Sequence, residues 1–407
     1  MTSLRRSFRR WWQPPRKASE RDEERSVTFL ELFYDLVYVV LISQLAHALS
    51  GHVNPAGVGG FAFLFVTVWL AWLNGAMYHD LHGNDDLRTR VFTFLQMFTV
   101  AAMAIFAHNA LGEGSVGFAL SFAAYQLILT YLWWRTGVHD PDHRPLSWPY
   151  SATFLITTLL FASSAFIAPP WRFYAWGLAL LLSLLLPLLV LNMGRINPRI
   201  QAELDRTIDI SPSAVERFGL FTIIVLGEVI VGVVSGVAGH HHLSWLVGLT
   251  AALGMLIAIG MWWIYFDFIS HHPPAAGRAT IARWLYLHLP MTMGIAATGA
   301  AVLNVVEHAG EPLTTEVRWL LVGAIALALV CIAILMRTIQ IPPEYYGAYR
   351  TGGIVTFISG LVILLLGFSS LSTIPLLMVL IVLMLAPVFY GLKVWITMLG
   401  GEEIPIT

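Results

Sequence analysis

Apolar runs of membrane-crossing length recur along the chain and alternate with short polar stretches. A helix rising about 1.5 Å per residue crosses a hydrocarbon core of about 30 Å in about 20 residues. The pattern predicts helices near 29–49, 57–79, 90–109, 115–135, 149–168 and 172–193. It predicts six more near 214–237, 244–267, 282–306, 317–336, 352–370 and 374–398, with the tightest link at Ser370–Thr373. The expected fold class is all-α and polytopic, with about 12 transmembrane helices, and the lipid bilayer is the first partner it implies.

Composition agrees and adds orientation. Hydrophobic residues make up 57% of the chain and charged residues 12%, and the mean hydropathy is +0.72. The longest polar stretches, residues 1–27 and about 194–212, are too short for a soluble domain core. With both termini cytoplasmic, 21 of the 23 Lys and Arg fall on inner loops and flanks, leaving Arg172 and Arg318 outside. That bias is the positive-inside signature. The expected organisation is a basic cytoplasmic tail (1–27), a first six-helix repeat (28–196), a cytoplasmic linker (197–212), a second repeat (213–400) and a short cytoplasmic tail (401–407). The tail carries Trp11 and Trp12 among its arginines and suits an anionic leaflet surface. No cleavable signal peptide is expected, because 27 mostly polar residues precede the first apolar run.

The halves share landmarks in one order. Glu31-Leu-Phe33 opens the first helix and Glu216-Arg-Phe218 the seventh. Tyr78-His-Asp80 closes the second and Tyr265-Phe-Asp267 the eighth; Arg135-Thr136 and Arg337-Thr338 close the fourth and tenth; Pro187 and Pro387 lie in the sixth and twelfth. Glu31–Asp80 and Glu216–Asp267 span 49 and 51 residues, Arg135–Pro187 and Arg337–Pro387 span 52 and 50, and only the middle interval differs, 55 against 70. Six helices per half is an even number, so two parallel repeats about an axis along the membrane normal are expected.

Polar groups inside the apolar runs carry the candidate chemistry. Glu228 lies twelve residues past Glu216, about 18 Å along a helix and so deep in the hydrocarbon core. Ionisable groups at that depth mark ion and proton paths by default, the alternative being packing by a hydrogen bond to a neighbouring helix. Asp35 stands one turn after Glu31 on the same helix face. In the repeat register Leu220 matches Asp35 and Ser43 matches Glu228, so the deep acids are not symmetric. His288 precedes Pro290 by two residues, where a proline bend places an imidazole as a partner for Glu228 or as a bundle hydrogen bond. The transport or proton-relay candidates are Glu228, Asp35, His288 and His47, the last near the outer end of the first helix.

A second set sits at cytoplasmic helix ends: Glu31, Asp80 and Arg135 in one half, Glu216, Asp267 and Arg337 in the other. These read as one charge network per repeat, either a lock or a gate. Thr28-x-x-Glu31 and Ser213-x-x-Glu216 also fit the capping-box pattern. Gly232-x-x-x-Gly236 permits close helix approach, weakly among 33 glycines. The runs His240-His241-His242 and His271-His272 lack ligands at zinc-site spacing, so no metal or cofactor is expected. No phosphate loop, nucleophile elbow or dinucleotide fingerprint occurs, which leaves no catalytic candidate and no nucleic-acid partner. The lone Cys331 permits no intrachain disulfide.

Three strings carry a family resemblance: Glu31-Leu-Phe-Tyr-Asp35-Leu-Val-Tyr-Val, Glu216-Arg-Phe-Gly-Leu-Phe-Thr-Ile-Ile-Val-Leu-Gly227-Glu228, and Trp262-Trp263-x-Tyr265-Phe266-Asp267. Together they resemble the bacterial low-temperature-requirement A (LtrA) family over nearly the whole chain from about residue 26. The resemblance implies a multi-pass protein of the bacterial plasma membrane and carries over no molecular activity. Many members have an acidic Asp-x-Asp-Asp string after the second helix; Gly83-Asn84-Asp85-Asp86 stands there instead. Phe33-Tyr34-Asp35 and the tandem helices are also similar to a potassium channel family with a Phe-Ser-Asp motif. The leading expectation is a proton- or cation-coupled transporter of an unidentified ion or small solute, with Glu228 as the intramembrane titrating or ion-binding group and Asp35 and His288 as polar neighbours on the pathway. The alternatives are a cation channel and a membrane-embedded enzyme acting on lipid, the latter built on Asp80, Asp85, Asp86 and Arg88. Homo-oligomerisation is left open.

Overall fold

The structure, a computed structural model, describes residues 11, 13–17, 25–207 and 209–399, with backbone only at 191, 398 and 399. Most of the basic tail and all of residues 401–407 lie outside them. Thirteen α-helices follow from Phe29 onward among the described residues. They are α1 (Phe29–Ser50), α2 (Pro55–His82), α3 (Leu87–Ala107), α4 (Ser115–His139), α5 (Arg144–Ser164), α6 (Trp171–Ile196) and α7 (Pro198–Thr207). After these come α8 (Pro212–Ala238), α9 (Trp245–Phe268), α10 (Arg278–Glu307), α11 (Thr315–Leu335), α12 (Tyr346–Leu365) and α13 (Thr373–Leu399). A single isolated β-bridge, Pro274 with Ile339, is the extent of strand pairing among the described residues.

Among the described residues, eleven helices are long and apolar enough to cross a membrane, against the twelve expected. The difference is α5, predicted as 149–168, which is 21 residues long but carries Ser147, Ser151, Thr153, Thr157, Thr158, Ser163 and Ser164. Most of these hydroxyls turn back to their own helix: Thr157 and Thr158 donate to the Phe154 carbonyl at 2.9 and 2.7 Å, and Ser164 donates to Phe161 at 2.6 Å. Their polarity is thereby satisfied within the element, which lowers its hydropathy without breaking the helix. Side-chain caps start α3, α9 and α11, where Asp86, Ser244 and Thr314 accept from the N–H of Thr89, Val247 and Val317.

By packing, the chain divides into two units. One comprises residues to Leu45 together with Gly60–Arg217; the other comprises Ala46–Gly59 with residues from Phe218 onward. In the first, α3, α4, α5 and α6 pack in sequence, and the stretch expected as a linker forms α7. Ile200 and Leu204 of α7 join Leu146, Leu186 and Val190 in a small core, while its Glu203 reaches the His143 imidazole at 2.7 Å. In the second unit, α10 packs on α11, α11 on α12, and α13 on both α9 and α12. The two glycines of Gly232-x-x-x-Gly236 face α10, at Gly299 and at Leu303–Val306. A Cβ added at Gly299 would fall 2.6 Å from the Glu228 carbonyl oxygen, so this crossing has room for glycine alone.

Candidate functional site

The first unit holds a row of four charged side chains that the sequence reading did not assemble. It begins at the start of α1. Thr28 and Glu31 form a reciprocal cap: the Thr28 N–H donates to Glu31 Oε2 at 2.9 Å, and the Glu31 N–H donates to Thr28 Oγ1 at 3.3 Å. The other carboxylate oxygen, Oε1, receives Arg25 Nη2 at 2.7 Å and lies 3.8 Å from Arg217 Nη1. One turn on, Asp35 is wholly buried. Arg217 clamps it from α8 with Nη2 at 2.7 Å from Oδ1 and Nε at 3.3 Å from Oδ2, and the Trp72 indole donates to Oδ1 at 2.9 Å. The remaining Arg217 nitrogen donates to the Ala76 carbonyl at 3.3 Å.

Helical phase explains why Arg217 is the inward residue. Ser211 caps α8 by accepting the Ala214 N–H at 2.9 Å, and Pro212 takes the first helical position. The Ser213 hydroxyl donates to Asp80 instead of capping. With Ser213 inward, Arg217 four residues later shares its face, and Glu216, about 100° away, is exposed. The alternating charges Arg25, Glu31, Arg217 and Asp35 thus sum to zero where an isolated charge would be expensive. The Arg217 guanidinium also lies 5.6 Å from the centre of the Tyr34 ring.

Beside the row runs a chain of buried hydroxyls. Tyr38 and Tyr34 are 3.0 Å apart, Tyr34 and Tyr125 are 2.6 Å apart, and Tyr125 donates to the Ala71 carbonyl. Gly75 leaves the space that the Tyr34 and Tyr125 hydroxyls fill. A cavity of about 660 Å³ reaches the row at Glu31 and is lined also by Arg16, Arg25, His79, Asp85 and Arg90. His79 is buried in that wall, with Nε2 at 3.1 Å from Thr93 Oγ1.

The other expected site residues are distributed differently from the networks foreseen. The Asp80 carboxylate accepts from the Ser211 and Ser213 hydroxyls, and the Arg135 Nε has no hydrogen-bond partner among the described residues. Glu216 accepts from the Val27 N–H at 3.2 Å. Asp267 lies in a cavity wall of the second unit, and Arg337 is exposed; neither forms an ion pair among the described residues. Glu228 is buried on α8 beside Gly299. His288 is buried too, but both ring nitrogens are taken, Nδ1 by the Trp284 carbonyl at 2.7 Å and Nε2 by the Tyr265 hydroxyl at 3.2 Å. Its two ring nitrogens are thus engaged by residues of the second unit. His47 is exposed. Among the described residues, no group of three His, Cys, Asp or Glu is placed to hold a metal ion.

Arg217, Trp72 and the three tyrosines were missed by sequence reasoning. The available signal was an arginine inside an otherwise apolar helix start, one residue from the Glu216 that drew attention, together with an unmatched Asp35 on α1. The family model described as bacterial low temperature requirement A protein (LtrA) matches residues 26–394. An uncharacterized protein of Rhizobium meliloti (strain 1021) is 29% identical over 301 residues, covering 69% of each chain.

Proposed function

The chain belongs to the bacterial low temperature requirement A family, and we propose that it is a proton- or cation-coupled transporter of the bacterial plasma membrane, with Asp35 as the coupling carboxylate. The observation that carries this reading is the bidentate Asp35–Arg217 pair, buried among apolar helices of membrane-crossing length. Membrane helices seldom retain buried ionisable pairs without a role in an ion or proton path. Protonating Asp35, or seating a cation against it, cancels the charge that Arg217 faces. Arg217 then has Glu31 as its alternative partner, already 3.8 Å away. That exchange is a two-state element of the kind a transport cycle needs. The cavity at Glu31 supplies the approach, and the Tyr38–Tyr34–Tyr125 hydroxyls supply a route for a proton. Glu228 is the second candidate for a titrating group, and the transported species is an ion or small solute. The positive-inside count favours cytoplasmic termini.

Flux assays in proteoliposomes loaded in turn with potassium, sodium and a pH dye test the reading. A saturable, gradient-dependent flux that disappears in Asp35→Asn is expected. A non-saturating flux that survives the substitution points to a channel, and no flux of any of these ions rules out cation coupling.

A further inference from the structure

The second unit contains a cavity of about 610 Å³ that the transport reading does not use. Its walls come from four places in the chain: the end of α9, the turn after it, the segment from Ile341 into the first turn of α12, and the last turns of α13. Six aromatic side chains line it, Trp263, Phe268, Tyr345, Tyr349, Tyr390 and Trp395, together with the carboxylate of Asp267. The lining contains no lysine or arginine. Asp267 has no ion-pair partner among the described residues, and the Trp263 indole, one turn away, lies beside its carboxylate. The one other titratable group of ordinary pH in the wall is His272, whose Nε2 lies 3.2 Å from the Tyr349 hydroxyl. Burial and the adjacent His271 push His272 below the usual histidine range, so it adds no positive charge at neutral pH.

One close contact seats an aromatic wall. Gly391 carries no side chain where the Phe268 ring passes, since a Cβ there would lie 2.8 Å from that ring. The volume is within the range of about 300–1,000 Å³ that small-molecule sites occupy.

A cavity with electron-rich ring faces and one uncompensated carboxylate has a defined chemical preference. Ring faces attract cations through their quadrupoles, and a quaternary or alkylated ammonium, which sheds water readily, gains most from them. The carboxylate supplies the formal charge, and a neutral ligand of the same shape would leave it unmatched. We propose that this cavity is a binding site for an organic ammonium group, held over Trp263, Tyr349 and Trp395 with its charge against Asp267. A free amine or quaternary ammonium solute and the ammonium headgroup of a membrane lipid share that chemistry. The site belongs to the other unit and shares no residue with the Asp35–Arg217 pair, so either assignment can fail without the other.

The test uses the full-length protein in nanodiscs of phosphatidylglycerol, whose headgroup carries no ammonium. Choline and tetramethylammonium are titrated by calorimetry alongside 3,3-dimethylbutan-1-ol, the uncharged counterpart of choline. In a second arm, the protein in mixed lipid is examined by native mass spectrometry for preferential retention of phosphatidylcholine or phosphatidylethanolamine over phosphatidylglycerol. Saturable binding of the free cations but not of the alcohol identifies a solute site, and selective lipid retention identifies a headgroup site. In either case Asp267→Asn is expected to weaken the interaction about tenfold or more, Asp267→Glu to retain most of it, and Trp263→Leu to weaken it with the carboxylate intact. Circular dichroism and monodispersity verify that each variant folds. Equal binding of the alcohol, unchanged binding in Asp267→Asn, or absence of both free-cation binding and lipid selectivity overturns the assignment.

Discussion

Replacing Arg217 with methionine keeps an apolar stem and removes the guanidinium, which leaves Asp35 buried with the Trp72 indole as its remaining donor at 2.9 Å. Two charge-assisted bonds, at 2.7 and 3.3 Å, are lost. Unit charges about 4 Å apart interact by about 4 kcal/mol at an effective dielectric constant of about 20. Breaking a buried pair from one side costs about 3–5 kcal/mol, because the surviving charge stays uncompensated. Asp35→Asn should cost less, at about the lower end of that range, since Arg217 keeps the Ala76 carbonyl at 3.3 Å and Glu31 at 3.8 Å. The double variant strands neither member of the pair, so its loss should fall short of the sum of the single losses by about 2 kcal/mol. Titration of mixed micelles with a denaturing detergent, followed by far-ultraviolet circular dichroism on all four proteins, closes the cycle. Single losses below about 1 kcal/mol, as at exposed ion pairs, or additivity within about 0.5 kcal/mol, would refute the description of this pair as buried and coupled.

Other outcomes follow from the same geometry. Gly75→Ala places a methyl where the Tyr34 and Tyr125 hydroxyls now sit, and should destabilise the protein by about 1–3 kcal/mol in the same titration. Gly299→Ala pushes against the Glu228 backbone at the α8–α10 crossing and should cost about as much, whereas Gly323→Ala, with open space at its Cβ, should be neutral or stabilising by up to about 1 kcal/mol. Ser211→Ala removes both the α8 cap and a donor to Asp80, an expected loss of about 1–2 kcal/mol, with Ser211→Thr recovering much of it.

The helices were legible because hydrophobicity in a membrane protein is read directly against bilayer thickness. The exception is instructive: the hydroxyls of α5 lower its hydropathy, yet they bond to their own helix and leave it intact. The Thr28–Glu31 cap was legible because a capping box is local. The same pattern at Ser213–Glu216 misled, since Ser211 and Pro212 start α8 two residues earlier and Ser213 turns to Asp80. Emphasis on Glu216 hid its neighbour Arg217, although a step of about 100° makes one of the two inward and the other outward. The wall around Asp267 was out of reach for a different reason. It is assembled from α9, α12 and α13, and Asp267 lies 82 residues before Tyr349 and 128 before Trp395 in the chain.

The most direct test of the transport account is proton uptake into proteoliposomes carrying a trapped pH dye, compared in wild type, Asp35→Asn and Glu228→Gln at matched reconstitution. The account predicts uptake in wild type, its loss in Asp35→Asn, and retention of a measurable rate in Glu228→Gln. Uptake that persists in Asp35→Asn and vanishes in Glu228→Gln would contradict it, and would move the coupling group from the Arg217 pair to the middle of α8.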